Sequence, residues 1–145
     1  MLTLFTIGYE GLNIELFLER LQAHGITTVI DVRQRPYSRK PDFNKKRLTA
    51  HLAAVGINYV HVVELGTPKP LRDAVRRDKD YPAFFAAVTP LIEAEETALA
   101  AALERVRSGS CALLCFEHDA GVCHRRVVAE ALLHRTAGDL TVVDL

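Results

Sequence analysis

The chain has 145 residues, 49% hydrophobic and 25% charged, enough for one domain (residues 1–145) with a real core. Its 18 basic side chains balance 18 acidic ones, so no global field draws it toward nucleic acid or an anionic membrane, and any steering must come from local patches. No apolar run approaches the roughly 20 residues that span a bilayer, and Met1-Leu2-Thr3-Leu4-Phe5 lacks a basic leader segment, so neither a membrane span nor a signal peptide is expected. Three cysteines, an odd number, fit free thiols in a reducing cytoplasm better than a disulfide framework.

In chain order, Leu2 to Ile7 is an apolar run closed by Gly8, a buried-strand pattern. Gly8-Tyr9-Glu10-Gly11 reads as a turn, and Asn13 as the N-cap of a helix with Leu16, Phe17 and Leu21 on one face. Ile26 to Val32 predicts a second strand ending in Asp31-Val32-Arg33. The connection from Arg33 to Asn44 is broken by Pro36 and Pro41, and residues 33 to 47 carry seven basic side chains against one acid, Asp42. Lys45 to Val55 predicts a helix and Ile57 to Val62 a third strand. Glu64 to Tyr81 reads as a loop with one helical turn at most. Pro82 to Val106 reads as a long helical region that Pro90 kinks or splits, with Phe84, Phe85, Val88, Leu91, Ile92, Leu99 and Leu103 inward. Cys111 to Phe116 predicts a fourth strand, Val127 to Leu132 a helix, and Leu140 to Val143 a fifth strand.

This alternation predicts a three-layer α/β/α domain with a five-stranded, mainly parallel sheet. The expected strand order is 3-2-1-4-5, with the switch point between strands one and four. The junction between the fourth strand and the helix after it is crowded with Cys115, Glu117, His118, Asp119, Cys123, His124, Arg125 and Arg126. Ligands of open α/β sheets bind beyond the carboxyl ends of strands, which is where this junction falls. The topology brings Gly8, Tyr9, Asp31 and Arg33 to the same edge, with Asp31 and Arg33 one strand away.

The chain resembles the domain of unknown function 488 family. The matching segments are Thr6-Ile7-Gly8-Tyr9, Asp31-Val32-Arg33, Pro36 with Ser38-Arg39, Phe43 with Lys45 and Leu48, Gly56-Ile57-Asn58-Tyr59, Leu65-Gly66, Leu114-Cys115-Phe116-Glu117 and Cys123-His124-Arg125. They run in order over nearly the whole chain. Thr67 departs from the family, many members of which carry a second glycine there. The resemblance implies a single α/β domain with Cys-x-Glu and Cys-His-Arg as its signature, and it names no reaction.

The residues themselves support three readings. In the first, the chain is an enzyme for an anionic, phosphorylated ligand, a nucleotide or nucleic acid among the candidates. Cys115 or Cys123 is the nucleophile, its thiol pKa lowered by the helix start and nearby Arg or His, Glu117 or Asp119 is the general acid or base, His124 belongs to the same catalytic set, and Gly8, Tyr9, Asp31, Arg33 and Arg125 bind the ligand. Here Cys123 to Arg126 opens a helix whose N-terminus favours an anion. In the second, Cys115, Cys123 and His124 hold zinc with Glu117; adjacent Cys123 and His124 argue against it, because neighbouring side chains point apart, and no Cys-x-x-Cys pair is present. In the third, the chain is a nucleic-acid-binding module without catalysis, the basic connection meeting phosphates while Tyr37 and Phe43 stack on bases. No cofactor is identified. A purely structural cluster is the alternative to all three, with Glu117–Arg125 an ion pair holding the loop and Arg33 the partner of Asp31.

Overall fold

In the computed structural model, which covers residues 1–145, the strand patterns resolve into β1 (Leu2–Gly8), β2 (Thr28–Asp31), β3 (Asn58–His61), β4 (Cys111–Cys115) and β5 (Leu140–Asp144). All pair in parallel in one five-stranded sheet. Between them run α1 (Ile14–Ala23), α2 (Lys45–Ala54), α3 (Lys69–Asp78), α4 (Tyr81–Glu93), α5 (Glu96–Ser108) and α6 (Arg125–Arg135).

Strand alternation divides the core into two layers. Ile7, Val29, Ala112 and Leu114 face α1 and α2, meeting Phe17, Leu21, Leu48 and Leu52. Leu4, Ile30, Cys111 and Leu113 face α4, α5 and α6, meeting Val88, Ile92, Leu103, Val128 and Leu132. Each fully buried Leu, Ile, Val or Phe among them contributes about 1.5–3 kcal/mol.

The strand order is β3-β2-β4-β1-β5, which corrects the expected 3-2-1-4-5. Every residue of β4 is buried, whereas β1 starts with partly exposed positions. A strand covered on both faces along its whole length belongs at the centre of a parallel sheet. The exchange matters for function. The connections after β1 and β2 leave toward one helical layer and that after β4 toward the other, so the end of β4 is flanked by both. Asp31 pairs with Leu114 and Gly8 with Cys115. Asp31 and Arg33 are therefore beside Cys115, not one strand away.

The helical expectations hold with local corrections. Asn13 caps α1 by accepting the Leu16 N–H at 2.8 Å, while Leu16 itself is exposed and Ile14 takes its place inward. Residues 69–78 form a full helix where the prolines suggested a loop: Pro68 caps α3 and Pro70 lies in its first turn, where a missing N–H costs nothing. Pro90 lies within α4, and the helical run divides after it, at Ala94 and Glu95. Leu91 is exposed and Phe85 half-buried. No helix is long and apolar enough to cross a membrane.

Candidate functional site

β4 delivers Cys115 to the carboxyl edge of the sheet, and backbone bonds continue the ladder past its end. Val32 N–H donates to Leu114 O at 3.1 Å, Tyr9 N–H to Cys115 O at 3.3 Å and Glu10 N–H to Phe116 O at 2.9 Å. The chain then makes a short turn at Ala120–Val122 and enters α6 with His124 as its cap. The helix thus starts at Arg125, two residues later than expected. Cys123 is extended (φ −117°, ψ 141°) and His124 helical (φ −63°, ψ −17°). This change of backbone between neighbours turns both side chains toward β4. The sulfurs of Cys115 and Cys123 and an imidazole nitrogen of His124 all lie within 4.8 Å of one another. The expectation that adjacent Cys123 and His124 point apart is corrected by that geometry.

Cys115 is 6% exposed and lines a cleft. Its Sγ is 3.5 Å from His124 Nδ1 and 3.6 Å from Glu117 Oε2. His124 Nε2 lies 2.7 Å from the Val32 carbonyl, which can only accept, so Nε2 carries a proton and Nδ1 faces the sulfur. Burial disfavours the imidazolium, but the Cys123 thiol, the Val32 carbonyl and the Glu117 carboxylate outweigh it and the His124 pKa is raised. Cys123 is buried at 1% exposure, and burial pushes its thiol well up, reinforced by Cys115. Cys111 lies mid-sheet, pushed up to about 11 by burial.

Arg33 and Arg125 are both engaged by the protein. Arg33 donates to both Asp31 oxygens, at 2.8 to 3.2 Å, to Phe43 O at 2.8 Å and to Tyr9 Oη at 3.4 Å. Burial opposes its charge, yet Asp31 more than restores it and the pKa is raised. Asp31 also accepts from Tyr59 Oη at 2.5 Å, and Arg33 O is 2.7 Å from His61 Nε2. Arg125 is 0% exposed. It donates from Nε to Thr6 Oγ1 at 3.1 Å, from Nη1 to Glu117 O and from Nη2 to His118 O at 3.2 Å. The expected Glu117–Arg125 ion pair is thus a bond to the backbone carbonyl, and the Glu117 carboxylate is left for Cys115. Gly8 underlies the same carbonyl: a Cβ there would meet Glu117 O at 1.7 Å. Tyr9 is buried, stacked on Phe43 at 4.5 Å and edge-on to Phe116. Phe43, 1% exposed, is core and is not available to stack on a ligand.

The cleft in front of Cys115 measures about 630 Å³, the size of small-molecule sites. Its walls carry Arg33, Arg35, Arg39, Lys40, Lys69, Arg72 and Arg76 against two acids, Asp73 and Glu117. One wall is the basic connection after β2. The other is α3, tied to it by Arg72 Nη1, which donates to Gln34 Oε1 at 2.8 Å and Thr67 O at 3.1 Å. The charge balance of the whole chain conceals this local excess. Reading residues 64–81 as a loop hid the second wall, although Arg72 and Arg76 stand at the i, i+4 spacing of one helix face.

The parallel sheet with a thiol–imidazole–carboxylate group at the end of its central strand defines an α/β protein with a built polar site. Residues 13–132 match the family described as Domain of unknown function DUF488, and the chain belongs to it. Comparison with curated proteins and with solved structures finds no match.

Proposed function

We propose that the chain is an enzyme acting on an anionic, phosphorylated substrate, with Cys115 as nucleophile. The observation that carries this is the Cys115–His124 contact of 3.5 Å at a cleft whose walls bear seven basic side chains. His124 Nδ1 takes the Cys115 thiol proton, the thiolate attacks phosphorus and forms an S–P bond as the P–O bond to the leaving group breaks, and the imidazolium gives that proton to the departing oxygen. Water, losing a proton to His124 or Glu117, then attacks the same phosphorus and breaks the S–P bond, releasing phosphate and returning a proton to Cys115. The Val32 carbonyl holds the imidazole in the tautomer this needs. Arg35, Arg39 and Arg76, all exposed on the cleft walls, attract the anion. Arg33 lines the cleft wall with its charge paired to Asp31, and Arg125 shapes the site from behind it. Free thiols at all three cysteines support a reducing, cytoplasmic setting.

A zinc site is the second reading, favoured by the convergence of Cys115, Cys123 and His124. An imidazole held through its other nitrogen by a backbone carbonyl is also the usual support of a metal ligand. The two readings separate at Cys123. A screen of phosphate mono- and diesters, with mass spectrometry for a covalent adduct, tests them. The nucleophile reading expects turnover or an adduct on Cys115 that Cys115→Ser and His124→Gln abolish and Cys123→Ser leaves within about tenfold. Stoichiometric zinc in the purified protein, lost in Cys123→Ser along with activity, replaces it with the metal reading.

A further inference from the structure

We propose that the cleft carries a base-stacking subsite and that its anionic ligand is a nucleotide, free or as a unit of a single strand. The inference rests on the anionic-substrate reading and adds the part of the ligand that phosphate chemistry leaves open. Two large aromatic rings are exposed on this protein, Tyr37 at 61% and Phe116 at 39%, and both line this cleft. The remaining exposed large hydrophobics are aliphatic and lie outside it. Aromatic side chains normally bury most of their area, so two left open beside a cationic wall ask for a planar partner.

Both rings line the cleft together with Cys115. Tyr37 belongs to the basic connection after β2, with the Arg35 guanidinium 5.2 Å from its ring centre. Phe116 follows Cys115 directly and is braced edge-on by Tyr9 at 5.3 Å. A flat π-surface flanked by guanidinium groups suits a nucleobase joined to a phosphate. A sugar phosphate would satisfy the cations and leave both rings in water. The volume of about 630 Å³ accommodates a nucleotide unit. Thr67 adds a polar element: it is 3% exposed, lines the cleft, and its Oγ1 has no partner in the protein.

Calorimetry on the full chain, with adenosine 5′-monophosphate, ribose 5-phosphate, inorganic phosphate and a short oligothymidylate as probes, tests the subsite. The nucleotide is expected to bind at least about tenfold more tightly than ribose 5-phosphate, and Tyr37→Ala or Phe116→Ala to weaken nucleotide binding about 5- to 150-fold, the worth of one stacked base. Tyr37→Phe keeps the ring and is expected to keep the affinity. Both variants should leave ribose 5-phosphate binding unchanged, since they remove no charge. Binding of the oligothymidylate but not the mononucleotide, weakened by Tyr37→Ala, assigns the base to a strand. Equal affinity for the nucleotide and ribose 5-phosphate, insensitive to both alanine variants, overturns the subsite and leaves the anionic reading standing. If none of the four probes binds, both fall.

Discussion

Gly8 lies directly beneath the carbonyl of Glu117, so close that a Cβ at residue 8 would stand 1.7 Å from that oxygen. The crossing presses the loop after β4 onto the end of β1 and sets the height at which Cys115 and Glu117 face the cleft. The requirement comes from close approach of two backbones, not from a glycine-only conformation. Gly8→Ala is expected to displace the loop at a cost of about 3 kcal/mol, lowering the melting temperature by about 10 °C. A thermal scan checks it; an unchanged melting temperature would mean that the loop has another resting position.

Arg125 holds the same loop from below. Its guanidinium is fully buried on Thr6 Oγ1, Glu117 O and His118 O. Arg125→Ala strands three acceptors, and bonds to a charged donor are worth about 1.5–3 kcal/mol each, so a loss of at least about 3 kcal/mol is expected in urea denaturation. Arg125→Lys recovers part of this, because one ammonium cannot reproduce the planar fork. The contrary result is a variant of normal stability that no longer binds phosphate, which would make Arg125 a ligand contact.

These two residues show what the sequence carried and what it withheld. Cys115, Glu117, His124 and Arg125 stood out because so many reactive side chains at one strand end exceed what folding needs. Which of them faces the cleft depended on burial. Arg125 and Cys123 are adjacent in sequence to His124 yet lie in the core, and no local pattern distinguishes a buried guanidinium from an exposed one. Strand alternation gave the parallel sheet and its two helical layers. The order of β1 and β4 required comparing how continuously apolar each strand is: Cys111–Cys115 has no polar residue of ordinary kind, while β1 includes Thr3 and Thr6. Tyr59 stood in the third strand and in a family-matching segment, but its bond to Asp31 was not legible, because that partner is a neighbour across the sheet and 28 positions away in the chain.

The thiols should separate by reactivity. Cys115 lines the cleft, whereas Cys111 is fully buried in the sheet and Cys123 in the core under α6. Burial pushes both of the latter up, and a neutral thiol is a poor nucleophile. Iodoacetamide near neutral pH, followed by peptide mapping, is expected to label Cys115 at least about tenfold faster than Cys111 or Cys123. Phosphate or nucleotide in the cleft should slow that labelling. Faster labelling of Cys123 would move the nucleophile to the other sulfur.

Stability should fall in mild alkali. The folded chain keeps the Cys111 proton up to about 11, and burial likewise raises Cys123 and Tyr59. An unfolded chain releases these protons at about 8.5 for cysteine and about 10 for tyrosine. Below about pH 8 both states are protonated and the contribution is fully present. As pH rises from about 9 to 11 the unfolded state binds fewer protons than the native one, so stability falls, by up to about 1.4 kcal/mol per pH unit for each group. Urea midpoints across that range should drop, and Cys111→Ala should flatten the slope while lowering the plateau. A midpoint independent of pH would show that these groups titrate alike in both states.

Thr67 offers the most selective change in the cleft wall. Its hydroxyl oxygen is buried without a hydrogen-bond partner, which carries a desolvation cost with no return in the free protein. Valine has nearly the same shape and the same β-branch, so Thr67→Val removes the hydroxyl with little disturbance of packing. The free variant is expected to be as stable as wild type or more stable, by about 1 kcal/mol. If the hydroxyl completes its bonding on a ligand, the same substitution weakens nucleotide binding by about 2- to 10-fold, the worth of one hydrogen bond, and Thr67→Ser restores most of it. Opposite signs for stability and affinity in one variant are the signature of a group kept for binding. A loss of stability with unchanged affinity would instead make Thr67 a packing residue of the turn that joins β3 to α3.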